Sequence, residues 1–227
     1  AANRIYLAYD KTPWRPTYYT SLDWRVTPDN YSEVNKLTDS TFLFPNRFRG
    51  LLREGEDVYW YHSINRTDRW REQFETDATH GVRGLGTVVT AMLQLSWHMG
   101  YRDFVLVGVD ASYSIPDTVL QSGKAAFDTG NKLELPSTKD DDHNHFDPRY
   151  IGTGKKWHDP NVDEIVRCFG ICRKAIEARG GRIVNATPGG KLEVFERVNL
   201  DDELGVKALK DTGDTPAAQV VEVPPAR

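Results

Sequence analysis

Cysteine is almost missing from this chain: Cys168 and Cys172 are the only two in 227 residues. Four apart on a predicted helix, they share a face without closing a disulfide, and no second Cys or His pair completes a zinc spacing. They read as reduced core thiols of a cytoplasmic protein. Long apolar runs are missing too, so neither a membrane span nor a signal peptide is expected. Nor is there an excess of positive charge. The 29 basic and 33 acidic residues leave a net charge of −4, which argues against a nucleic-acid-binding surface. The chain carries no internal repeat, no Gly-x-Gly-x-x-Gly fingerprint with an acidic residue on a following strand, and no Gly-Lys-Ser/Thr phosphate loop. Its length suits one large domain, or one domain with a tail, whose core needs no disulfide or metal staple.

The most informative stretch that is present runs from Arg83 to Asp110. Arg83-Gly84-Leu85-Gly86-Thr87 is a glycine-rich turn and Val88 to Met99 a mostly apolar helix. Gly100 stops the helix, and Phe104 to Val109 is a strand covered on both faces. Gly84 and Gly86 let the backbone approach a ligand closely. Thr87 puts a hydroxyl at the first helical turn, where free N–H groups and the helix dipole favour an anion. Asp110 falls at the carboxyl edge of the strand, where open α/β sheets bind ligands. A phosphate or nucleotide held against this helix start is one reading; a tight loop with a helix cap is the other.

Upstream, Asn3 to Leu7 reads as the end of a strand and Thr17 to Ser21 as a second strand. Asp29 or Asn30 caps a helix through Leu37, and Ser40 to Phe44 and Val58 to Tyr61 are further strands. Residues 65–80, with Trp70 and Phe74 four apart, predict an amphipathic turn of helix. Downstream, residues 111–157 read as a long loop, of the kind that often forms a lid. It carries the patch Asp140-Asp141-Asp142-His143-Asn144-His145, which reads as a solvated acidic segment. A helix spans Asn161 to Arg179, Gly180-Gly181 stops it, and Arg182 to Asn185 is the last strand. Residues 205–227 lack periodicity and read as a flexible tail. Strands alternating with helices over residues 1–204 predict an α/β fold with a mainly parallel sheet.

Several motifs occur in one order: Asn3-Arg4-Ile5-Tyr6-Leu7, Arg83-Gly84-Leu85-Gly86-Thr87, Gly100-Tyr101-Arg102-Asp103, Gly108-Val109-Asp110, Asn144-His145-Phe146, Trp157-His158-Asp159-Pro160 and Asn185-Ala186-Thr187. Together they resemble a group of bacterial and archaeal domains. That group is related to archaeal-type 6-hydroxymethylpterin diphosphokinases and to motility-accessory-factor-like and sialyltransferase-like glycosyltransferases. The resemblance covers roughly residues 3–204 and implies a Rossmann-like, three-layer, sialyltransferase-like fold. Members open with a strand running into a Gly-Asn-Gly-Pro-Ser-type loop that helps hold nucleotide phosphates. This chain begins past the matching point, so the expected catalytic domain, residues 1–204, is one without that strand and loop.

The sialyltransferase-like branch implies attack of an acceptor hydroxyl on a CMP-sugar, with no metal required. The donor is then a nucleotide sugar and the acceptor a glycan or protein, as in bacterial surface-polysaccharide or flagellar glycosylation. At matching positions, Asn3 touches the nucleotide, Thr20 and Ser21 fall near a second donor contact, and Thr87 supplies the hydroxyl at the helix start. Gly84, Gly86 and Asp110 complete the expected phosphate site. His158 resembles the general base, with Asp159 orienting its ring or capping the next helix. Tyr113 is the candidate for stabilising the departing phosphate, with Tyr150 as a second, weaker match. The diphosphokinase branch implies ATP and Mg²⁺ instead, with Asp23 and Asp110 as carboxylate ligands, or a metal among His143, His145 and Asp140 to Asp142. A non-catalytic nucleotide- or sugar-recognition domain is the third expectation.

Overall fold

Aromatic and β-branched residues concentrate in Tyr18–Tyr19, Thr41–Pro45 and Val58–Tyr61, which become strands β1, β2 and β3. The computed structural model describes residues 1–64, 73–114, 134–158 and 161–205. The three strands form a parallel sheet in the order β1-β2-β3, with Tyr19 opposite Phe42 and Phe44 opposite Trp60. Residues two apart on a strand share a face. Tyr19, Phe42 and Phe44 therefore pack together, ring centroids 5.7 to 6.3 Å apart. Val34 of helix α1 (Val26–Val34) closes this aromatic core with Phe48 and Leu52. The helix starts earlier than the sequence predicts. Asp23 Oδ1 accepts the amides of Arg25 and Val26, so Asp23 takes the capping role expected of Asp29 or Asn30.

A two-residue parallel ladder, β4 (Ser63–Ile64) with β5 (Val82–Arg83), leads into helix α2 (Val88–His98). Strand β6 (Asp103–Leu106) follows, then an antiparallel pair, β7 (Glu134–Pro136) with β8 (Lys156–His158). Helix α3 (Val162–Glu177), strands β9 (Arg182–Asn185) and β10 (Glu196–Arg197), and the short α4 (Leu200–Glu203) complete the order. The second parallel sheet runs β10-β9-β6, with Phe104 opposite Ile183. Helix α2 is apolar nearly all round because it serves two cores. Ala91 and Leu95 pack with Tyr61 and Val82 beside the first sheet, while Leu93 and Trp97 join Phe104, Ile183 and α3 beside the second. On α3, Cys168, Phe169, Cys172 and Ile176 face inward. Neither cysteine is in a disulfide, and burial pushes the Cys172 thiol up to about 12.

The architecture is mixed α/β built on short parallel sheets, as the alternation of elements predicts. Three local expectations change. Asn3 to Leu7 forms no strand: Ala2 pairs with Thr20, then Asn3, at φ 51°, turns the chain into a 3-10 helix over Asn3–Ala8. Strand β6 stops at Leu106, short of Val109. The side chains of Asn185 and Thr187 hold the carbonyl and amide of Val109, and Gly108 turns at φ 74°. Residues 73–80 make turns and no helix; Phe74 is buried edge-on to Trp97, centroids 6.1 Å apart. Among the described residues no helix is long and apolar enough to cross a membrane. Trp70 and the tail beyond residue 205 lie outside the described residues.

Candidate functional site

The turn at the start of α2 is fixed by one polar side chain inside an apolar helix. Gln94 is fully buried. Its Oε1 accepts the amides of Glu75 and Arg83, and its Nε2 donates to the carbonyls of Arg83 and Thr90, all at 3.0 to 3.1 Å. Thr90 Oγ1 donates to the carbonyls of Leu85 and Thr87. Thr87 is the N-cap, its hydroxyl accepting the Val89 amide at 3.5 Å, and the remaining first-turn amides stay available to an anion. The two glycines differ. Gly86 sits at φ 77°, so backbone geometry favours glycine there, while a Cβ would meet Cys168 Sγ at 3.5 Å in ordinary contact. A Cβ on Gly84 would meet open space.

Above this turn lies a cavity of about 410 Å³. Of the residues singled out from the sequence, Asn3, Gly84, Gly86, Thr87 and Tyr113 line it, together with Asp23 and Tyr150. The Asn3 Oδ1 is buried and accepts no hydrogen bond from a described residue. Arg47 brings positive charge to the wall, anchored by the Leu22 carbonyl.

The remaining wall comes from the segment around Asp140 to His145, expected to be solvated; Asp140 and His143 are exposed, and the reading is corrected at Asp142. Asp142 and Asp147 are buried, 6% and 1% exposed, because each organises a turn of the 137–156 segment. Asp147 accepts Arg149 through its amide and guanidinium and Lys11 through its ammonium, which hold its carboxyl far below the usual carboxylate range. Arg4 reaches the carbonyls of Arg149 and Tyr150, and Lys155 that of Asp29, tying the segment to the first half of the chain. Asp142 accepts the amides of Asn144 and Ile151 and the Nδ1–H of His145 at 2.7 Å. Burial opposes its ionisation, but the bonds from His145 and the two amides outweigh burial and hold the carboxyl below its ordinary value.

His145 lines the cavity, stacked flat on Tyr150 with centroids 3.9 Å apart and edge-on to Tyr113 at 6.3 Å. With Nδ1 bound to a carboxylate, Nε2 is the ring nitrogen that carries the lone pair. Burial, then the charges of Asp110 and Asp142, push the Tyr113 phenol up; burial pushes Tyr150 to about 12, so both remain hydroxyl donors. No family model, curated protein or solved structure matches the chain. The site is read from its own geometry.

Of the other expected residues, Thr20, Ser21 and Asp110 do not line the cavity. Ser21 Oγ is committed to Thr27 Oγ1 at 2.8 Å, both hydroxyls buried, and Thr20 is 2% exposed, its backbone paired with Ala1 and Asn3. Asp110 caps the Ser112 amide and packs against the Gly189-Gly190 turn, outside the cavity lining. The backbone of His158 pairs with Glu134, and Asp159 lies outside the described residues. Of the two carboxylates expected for Mg²⁺, Asp23 lines the cavity with one oxygen accepting the amides of Arg25 and Val26, and Asp110 is not among the lining residues. Sequence reading missed Gln94 and the Asp142–His145 pair as site builders. A glutamine four residues after a threonine in a mostly apolar helix and the Asp-x-x-His spacing were the available signals.

Proposed function

We propose that the chain is a glycosyltransferase domain, Rossmann-like and related in architecture to the sialyltransferases. Its donor is a nucleotide sugar with CMP as the nucleotide, and its acceptor is a glycan or protein hydroxyl. The observation that carries the reading is one cavity shared by a helix start suited to phosphate and a carboxylate-held imidazole. The donor phosphate rests against the first turn of α2, with Asn3 contacting the nucleotide. An acceptor oxygen bonds to the anomeric carbon as the bond from that carbon to the phosphate oxygen breaks. The acceptor proton passes to Nε2 of His145, and the electron pair leaves with the CMP phosphate. Asp142 stabilises the imidazolium, and the protonated Tyr113 donates to the departing oxygens.

This reading assigns the base to His145, whose ring has a geometry that fits the task, rather than to His158. Calorimetry with CMP, CDP, UDP and ATP, with and without Mg²⁺, tests the ligand class. Binding of CMP without metal supports the proposal; a response confined to ATP with Mg²⁺ replaces it with a diphosphokinase-like enzyme. Comparing His145→Ala with His158→Ala tests the base. A folded, CMP-binding His145→Ala protein that has lost transfer by about 10²–10⁴-fold supports the assignment, and retained transfer removes it.

A further inference from the structure

A β-sheet has two faces, and in the first sheet they are covered unequally. Alternation puts Tyr19, Phe42, Phe44 and Trp60 on the face of the aromatic core, and Tyr18, Leu43, Tyr59 and Tyr61 on the other. Helix α2 reaches this second face at one end, where Tyr61 packs with Ala91 and Leu95. Past that contact lies a hollow of about 630 Å³, walled by Tyr18, Leu43 and Tyr59 of the sheet and by His98 and Met99 at the last turn of α2. Tyr59 is 60% exposed. Tyr18 also borders a separate groove of about 420 Å³ between β1 and β6. The hollow lies at the far end of α2 from the cavity, and the 11-residue helix spans roughly 16 Å.

The wall combines ring faces with polar groups and lacks charge. None of the described residues lining the hollow is Asp, Glu, Lys or Arg, in a chain where 27% of residues are. Asp77, outside the lining, is taken up by the amide and hydroxyl of Thr79 and by His98 Nδ1 at 3.4 Å. Asn46, His62 and Thr79 add an amide, an imidazole and a hydroxyl. A phosphate or carboxylate would find no fixed cation among these residues, and an ammonium no carboxylate. A purely apolar ligand would strip water from the polar groups and return no hydrogen bond. A neutral sugar matches both features. Its C–H face lies on an aromatic ring, and its hydroxyls both donate and accept.

We propose that this hollow is a second, non-catalytic site, which binds neutral carbohydrate. The Tyr18 and Tyr59 rings are the stacking surfaces, and Asn46, His62 and Thr79 meet the sugar hydroxyls. A glycan held there stays near the cavity without occupying it. The site needs no nucleotide, so the proposal stands whatever the cavity binds.

The test titrates the isotope-labelled 227-residue chain with glucose, galactose, N-acetylglucosamine, maltohexaose and chitohexaose, followed by NMR. At least one sugar should bind with a Kd of about 1–10 mM, shifting the amides of Tyr18, Tyr59, His62 and Thr79 and leaving Gly84 and Thr87 unmoved. Glucuronate, which carries a carboxylate, should bind no more tightly than the best neutral monosaccharide. Tyr59→Ala, at an exposed ring, should keep the fold and weaken binding by about tenfold; Tyr59→Phe, which keeps the stack, should lose less. His62→Ala, also exposed, should weaken binding by about threefold. The proposal is overturned if no sugar moves those amides, if shifts fall only elsewhere, if glucuronate binds more tightly, or if Tyr59→Ala and His62→Ala both bind as the original chain does.

Discussion

The chain contains two hollows of nearly equal size, about 410 and 420 Å³, both bounded by α2, and their walls differ in kind. In the cavity at the helix start, Gln94, Thr90 and Asp142 hold the Arg83, Leu85 and Ile151 backbone, and polar side chains line the wall. In the groove farther along the helix, the side chains are mainly apolar and, among the described residues, β6 pairs on one side only. Volume is therefore no guide to use. A wall with free side-chain chemistry fits a small polar ligand, whereas an apolar wall leaves such a ligand without partners.

Substitutions can break or sharpen that contrast. The largest effect is expected at Asp142, on the cavity side alone. Asp142→Asn removes the charge that holds the His145 tautomer, so transfer should fall by about 10²-fold or more while CMP affinity stays, read as kcat against KM. Next is Gln94→Leu, which strands the amides of Glu75 and Arg83 and should destabilise the fold by about 2–3 kcal/mol in urea titration. An unchanged midpoint would show that the turn is held by other means. Gly86→Ala forces a Cβ into a φ of 77° and should cost roughly 1–2 kcal/mol. Gly84→Ala should leave stability unchanged and act only on ligand affinity.

Acid should loosen the cavity wall before the groove. Asp142 and Asp147 have carboxyl values below the ordinary 3.8. Their contribution is present above the unfolded value and is lost as pH falls through the folded ones. Hydrogen exchange in residues 137–156 should therefore accelerate below about pH 4, and Asp147→Asn should weaken that dependence. The smallest effect belongs to the groove. Met92→Ala should change stability by less than about 1 kcal/mol, because the side chain is only partly buried, and leave CMP binding intact.

Much of the site's floor was legible in sequence. Gly86 before Thr87 gave the turn and cap and Gly100 the helix stop, since each signal lies within a turn of what it controls, whereas Asn161, expected as the first helical residue, is the cap of α3. Asn185-Ala186-Thr187 stood out as a motif, but its work is to hold the Val109 backbone at the end of β6, a contact across 76 and 78 residues. The segment holding His145 was misread for the same reason. A run of aspartates looks solvated until the chain folds back to bring the Ile151 amide and the His145 ring onto Asp142, in a segment that Arg4 and Lys11 hold at Arg149 and Asp147.

The sequence by itself determined the α/β alternation, the turn and cap at the start of α2, and the helix stops at Gly100 and Gly180. These follow from side-chain spacing, caps and glycines acting over a few residues. Only the tertiary structure decided that Asp142 is buried against His145, that Ser21 and Asp110 stay out of the cavity, and that β1 and β6 face one another across an open groove. Burial and hydrogen-bond satisfaction depend on partners distant in the chain, and local residue patterns alone do not specify them.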